Sequence, residues 1–180
     1  MNKNANPLFS YVKRNLKRRS GVPSLNDYYS SVYRCDNQVI PDFPSRTNQK
    51  LEDIAFTPQL VSKCLKSVSN SMSVGPDSLP PRFIRSIADF IVQPLCTLFT
   101  VCYYKAALPR MWLDANVVPI YKGKGSKEDS SNYRPVSLTS VICKVMERCV
   151  KDKVYDFLSL NGLLTPKQHG FVSGRSTLTN

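Results

Sequence analysis

Six basic residues stand in the first twenty positions, Lys3, Lys13, Arg14, Lys17, Arg18 and Arg19, with no acid among them and Phe9 and Tyr11 alongside. Grouped cations of this kind attract polyanions, because each phosphate they neutralise releases condensed counterions. A second basic group surrounds a glycine-containing stretch, Lys122-Gly123-Lys124-Gly125-Ser126-Lys127, and Arg134 follows shortly after it. Lysine offers a mobile point charge and arginine a planar fork of donors, so phosphate binding is the chemistry these residue types can do. Other chemistries have less to work with. The adjacent acidic pairs are Glu52-Asp53 and Glu128-Asp129, neither framed by a hydrophobic strand, so both read as solvated loop charges. His169 has no acidic or thiol neighbour in sequence and reads as structural. The six cysteines contain no C-x-x-C pair and have one histidine to join them, which argues against zinc and for small buried side chains in a reducing compartment.

Bulk composition narrows the class. The 180 residues carry a formal net charge of +12, are 42% hydrophobic and 21% charged, and include no apolar run approaching the roughly 20 residues that span a bilayer. No membrane partner is expected. The start, Met1-Asn2-Lys3-Asn4, leads into polar residues without a signal-peptide core, so an intracellular location, nuclear or cytoplasmic, is expected. The charge makes RNA and DNA the leading partners.

The elements that must position these groups follow from periodicity. Residues 1–50 read as a basic arm or linker with one or two short helices rather than a packed domain. Thr57-Pro58 is a helix start, Phe56 and Val61 are placed for a hydrophobic staple, and Val61, Cys64, Leu65 and Val68 keep helical spacing to a stop near Asn70. Gly75-Pro76-Asp77 makes a turn, and Pro80-Pro81 opens a second helix with Ile84, Ile87, Ala88 and Ile91 on one face. Pro94 is expected to break or kink it, leaving a third helix with Leu95, Leu98, Phe99 and Cys102. Residues 115–121 read as a strand, with Pro119 arguing for an edge position, and are expected to supply the surface these helices pack on. A mobile polar loop then leads to a second strand at residues 134–138, giving a hairpin with a basic tip. The longest helix carries Ile142, Val145, Met146, Cys149 and Val150, an expected Glu147–Lys151 pair, and a stop at Asn161-Gly162.

Four ordered blocks carry a resemblance. They are Gly75-Pro76-Asp77-Ser78-Leu79-Pro80; Trp112-Leu113-Asp114-Ala115-Asn116-Val117-Val118-Pro119-Ile120-Tyr121-Lys122-Gly123; Asn132-Tyr133-Arg134-Pro135-Val136-Ser137-Leu138-Thr139 with Lys144 and Glu147 beyond; and Gln168-His169-Gly170-Phe171 with Gly174-Arg175-Ser176-Thr177. In this order and spacing they resemble the fingers signature of non-LTR (LINE-like) retrotransposon reverse transcriptases, over roughly residues 55–180. The stretches Phe9-Ser10-Tyr11-Val12-Lys13 and Leu25-Asn26-Asp27-Tyr28-Tyr29 are similar to the linker preceding the polymerase in jockey- or CR1-like elements.

The resemblance implies an α+β fold: a helix-rich fingers fragment with a short β-hairpin and without the palm. It assigns Lys122 and Arg134 to the triphosphate of an incoming dNTP, and Gln168, Gly170, Phe171 and Arg175 to the template side, beside Lys13, Arg14, Lys17, Arg18 and Arg19 on the arm. Gly170 has a second reading as a residue required by a tight turn. Lys122 and Arg134 are expected to lie close across the hairpin, with no carboxylate between them, facing one groove. The complete family enzyme uses Mg²⁺ held by aspartates from a palm strand and an aromatic-x-Asp-Asp hairpin, and neither motif occurs in this sequence. The inherited function is RNA-directed DNA synthesis, yet this chain alone is expected to bind nucleic acid and dNTP without polymerising and to need no cofactor. The alternative from another class is a non-catalytic basic nucleic-acid-binding module.

Overall fold

The computed structural model describes residues 25–32, 44–170, 172, 174–176 and 178. The arm residues Lys13, Arg14, Lys17, Arg18 and Arg19, and also Phe171, lie outside that set. The order is α1 (Leu25–Val32), α2 (Pro58–Lys66), α3 (Pro81–Ser86), α4 (Ala88–Tyr104), β1 (Asn116–Tyr121), β2 (Tyr133–Leu138) and α5 (Val141–Leu160). Mixed helices with a two-stranded antiparallel sheet make the class α+β.

The start of α2 follows the sequence reading. Thr57 is extended, its Oγ accepts the Leu60 N–H at 3.3 Å, and Pro58 occupies the first turn, where its missing N–H costs nothing. The helix stops at Lys66, earlier than the expected Asn70. The serines of Ser67-Val68-Ser69-Asn70-Ser71 explain this: Ser67 Oγ donates back to the Cys64 carbonyl at 2.6 Å, and Ser69 and Ser71 bond each other at 2.8 Å, offering the backbone local alternatives to helix.

The second correction concerns Pro94. The helix breaks at Ile87 (φ −99°, ψ 10°), and Pro94 sits inside a continuous α4. Pro94 and Phe90, whose carbonyl it leaves without its usual partner, are both exposed, so that carbonyl turns toward water rather than into the core. The anticipated third helix is therefore the latter part of α4. It ends in a Schellman motif, with Ala106 N–H on the Tyr103 carbonyl and Ala107 N–H on the Cys102 carbonyl, and Ala106 held at φ 47°. The end of α5 repeats the motif at the anticipated Asn161-Gly162 stop, with Gly162 at φ 62° and the Leu163 N–H on the Leu158 carbonyl at 2.9 Å.

The core is helical throughout. Val61, Cys64 and Leu65 of α2, Phe99 and Cys102 of α4, and Val141, Val145 and Cys149 of α5 are buried together. Phe56, Phe99 and Trp112 join edge to face, with ring centroids 5.7 and 6.0 Å apart. The hairpin contributes no residue to this core, which corrects the expectation that residues 115–121 supply the helices' packing surface; α5 supplies it instead. The Glu147–Lys151 pair is also replaced: Lys151 meets Asp152 at 3.3 Å, and Glu147 accepts the Cys143 thiol at 3.6 Å. Part of the expected linker is packed, since Tyr29 of α1 is 1% exposed and α1 touches the turn at Ser130–Asn132. The outer side of α3 and α4 leaves Phe83, Phe90, Val101 and Tyr104 exposed.

Candidate functional site

The hairpin is built around a proline pair. Pro119 faces Pro135 in the antiparallel register, and the Lys122 N–H bonds the Asn132 carbonyl at 2.8 Å just beyond the strands. Hydrogen-bonded and non-bonded rungs alternate, so counting back from Lys122 puts both prolines on a non-bonded rung, where neither would have donated to the ladder. Two consecutive edge strands thus tolerate Pro at the same level.

The same count gives the faces. Lys122, Ile120 and Val118 share a side with Arg134 and Val136, and Arg134 opposes Ile120. Lys122 and Arg134 are therefore diagonal neighbours at the loop end, positions on the order of 7–8 Å apart in antiparallel pairs. Ile120, Val118 and Val136 on this face are 51%, 39% and 36% exposed, so it is an open apolar floor with a cationic edge.

The loop at residues 122–132 is ordered by its own side chains, in contrast to the mobile loop expected. Tyr121 and Tyr133 oppose each other on the other face with ring centroids 5.5 Å apart. Tyr121 Oη donates to the Gly125 carbonyl at 2.5 Å, and Tyr133 Oη to the Lys127 carbonyl at 2.8 Å. Asn132 Nδ2 donates to the Ser126 carbonyl at 2.8 Å, and Gly125 (φ 82°) lies so close to the Asn132 amide that a side chain there would collide with it. Lys127 Nζ sits 5.9 Å from the Tyr121 ring centre.

Lys122 is engaged within this loop, its Nζ donating to the Ser131 carbonyl at 2.6 Å. Asp129 lies within its electrostatic reach, correcting the expectation of no carboxylate near the two cations. The Ser131 hydroxyl and amide, each 2.8 Å from an Asp129 oxygen, hold that carboxyl below the usual range, and Lys122 adds to the effect. Asp129 is thus a loop cap rather than an idle solvated charge. Arg134 is exposed and, among the described residues, makes no ion pair.

Gln168, Gly170 and Arg175 come together in one turn. Arg175 Nη1 donates to the carbonyls of Pro166 at 2.6 Å and Gln168 at 2.9 Å, while Gln168 Nε2 donates to the Gly170 carbonyl at 2.8 Å. Arg175 closes this loop, and its remaining guanidinium donors face outward. The tight-turn reading of Gly170 fails: its φ is not in the left-handed region and a Cβ there would meet only Gln168 Nε2 at 3.8 Å. Gly174, with φ 75°, is the glycine this turn requires.

Sequence reasoning missed Tyr121, Asn132 and Tyr133 as organisers of the loop. The available signal was the placement of two tyrosines immediately outside a glycine-containing loop, on strands of one hairpin. Among the described residues, no three His, Cys, Asp or Glu side chains group as metal ligands, so the Mg²⁺ implied by the resemblance has no fitting donor set there.

No protein-family model matches the chain. It is similar to the probable RNA-directed DNA polymerase from transposon BS of Drosophila melanogaster, 25% identical over 118 residues, covering 66% of this chain and 13% of that protein. It is similar to the RNA-directed DNA polymerase from mobile element jockey of the same fly, 26% identical over 117 residues, 65% of this chain and 13% of the relative. A third similarity is to the probable RNA-directed DNA polymerase from transposon X-element, 23% identical over 145 residues, 78% of this chain and 16% of the relative. The chain therefore spans only 13–16% of the length of these relatives. The four ordered blocks and these similarities make the chain a relative of the RNA-directed DNA polymerases of non-LTR retrotransposons.

Proposed function

We propose that this chain is part of the fingers of a reverse transcriptase and serves the binding side of RNA-directed DNA synthesis, with RNA, DNA and dNTP as its ligands. The observation that carries the reading is the register of the hairpin, which sets Lys122 and Arg134 on one open face beside a basic loop. Two cations at that spacing suit an anion with several oxygens, such as a triphosphate, which either alone would hold weakly. In the complete enzyme Mg²⁺ would be held by carboxylates other than those described here, and the fingers would orient the triphosphate toward it. Arg175 and Gln168 border the template by this reading, with the arm adding sequence-independent attraction.

Fluorescence anisotropy of a single-stranded RNA, measured over a range of salt concentrations, tests it. Affinity should fall linearly in log–log form with added salt, and Arg134→Ala should reduce the magnitude of the slope by about 0.7, one phosphate contact. Absence of binding, or binding indifferent to salt, would refute the reading. Unchanged slope and dNTP affinity in the Arg134→Ala protein would remove that residue from the interface.

A further inference from the structure

The backbone of the hairpin loop is polarised. The N–H groups of Gly123, Lys124, Gly125, Ser126 and Lys127 have no acceptor among the described residues. The carbonyls behave oppositely: Gly125 accepts from Tyr121 Oη, Ser126 from Asn132 Nδ2 and the Asp129 N–H, and Lys127 from Tyr133 Oη. Donors are left open while neighbouring acceptors are tied inward by named side chains. In addition, Gly123 (φ 81°) and Gly125 (φ 82°) flank Lys124, whose φ is not positive, the alternation of hand that curls successive N–H groups around a concavity suited to an anion.

We infer that residues 123–127 form a phosphate-binding turn, in which backbone amides take the phosphate oxygens and Lys124 supplies charge, distinct from the Lys122 and Arg134 pair. Lys124 is exposed and in no ion pair among the described residues. Lys127 is drawn toward the Tyr121 ring and stays at the rim. Two carboxylates share the loop. Asp129 is turned to Ser131 and Lys122, and the Glu128 amide is held by Ser126 Oγ at 3.1 Å, so three lysines outnumber them. Tyr121, Tyr133 and Asn132 are positioning residues: removing their donors would release the carbonyls into the concavity and repel the ligand. The inference rests on the reading that this chain binds nucleic acid or nucleotide. It adds a second phosphate locus, whose ligand is either a nucleotide polyphosphate or a nucleic-acid backbone.

The test uses the full chain labelled with ¹⁵N, following the amide resonances of residues 123–127 during titration with sodium tripolyphosphate and, separately, with a single-stranded oligothymidylate. Saturable movement of these resonances supports the turn, with tripolyphosphate alone indicating a nucleotide source and the oligonucleotide alone a backbone source. The Lys124→Ala protein, its remaining hairpin resonances unmoved, should bind the effective ligand about threefold or more weakly. If the oligonucleotide binds by anisotropy while these amides stay still, the turn is not a site, although the broader reading survives. If neither ligand binds by any readout, both fall together.

Discussion

Gly75 packs directly on the backbone of Thr139: a Cβ at position 75 would lie 2.5 Å from the Thr139 carbonyl oxygen and 2.7 Å from the Ser140 amide nitrogen. Two of the sequence blocks, one opening on Gly75 and one closing on Thr139, therefore meet where β2 passes into α5. Ser140 is fully buried there and caps α5, its Oγ accepting the Cys143 N–H at 3.4 Å. We expect Gly75→Ala to push this junction apart and to destabilise the fold by about 1–3 kcal/mol, as overpacking of a close contact does. Chemical denaturation of the two proteins measures it; equal midpoints would show that the junction yields freely.

Ala106 gives a prediction of opposite sign. It holds the left-handed position of the α4 Schellman motif at φ 47°, where a side chain costs roughly 1–2 kcal/mol and glycine costs none. Ala106→Gly gives back about 0.5–1 kcal/mol through the greater freedom of glycine when unfolded, so a net gain of about 0.5–1 kcal/mol is expected. A thermal midpoint that fails to rise would contradict this.

The tyrosine clasp on the hairpin is separable from the helical core. The double variant Tyr121→Phe, Tyr133→Phe keeps the ring pair but removes the bonds to the Gly125 and Lys127 carbonyls. Proteolysis within residues 122–132 should quicken, while the global unfolding midpoint stays within about 0.5 kcal/mol of its starting stability, because the hairpin lies outside the core. Cleavage at an unchanged rate would mean that Asn132 and Asp129 hold the loop alone.

Alkaline pH should weaken the fold through Cys143. Burial, and then the neighbouring Glu147 carboxylate, push its thiol up to about 12 from an ordinary 9.0. The folded chain keeps this proton where the unfolded chain has lost it, so the contribution is complete below pH 9.0 and declines as pH rises toward about 12. Cys149, raised by burial and by Cys64 beside it, acts in the same direction. Denaturation midpoints measured from neutral to alkaline pH should fall, and less steeply for Cys143→Ala. A flat profile would mean the thiols exchange with solvent before unfolding.

Local chemistry made parts of the fold legible in the residues alone. Thr57-Pro58 and Asn161-Gly162 determined helix ends because capping depends on one or two side chains and on backbone angles nearby. The hairpin and the basic tip were likewise readable, since alternating β-branched residues and a Gly-rich break act within a few positions. The four blocks in order carried the kinship that the similar polymerases then showed. Tertiary structure decided the rest. Pro94 could remain in α4 only because its side of the helix faces water, and no periodicity states which face will be covered. The rungs on which Pro119 and Pro135 meet, and the diagonal placing of Lys122 and Arg134, depend on pairing register, where a slip of one residue would have reversed every side chain. The contact of Gly75 with Thr139 joins residues far apart in sequence, so a glycine that reads locally as a turn former proves to be a packing requirement.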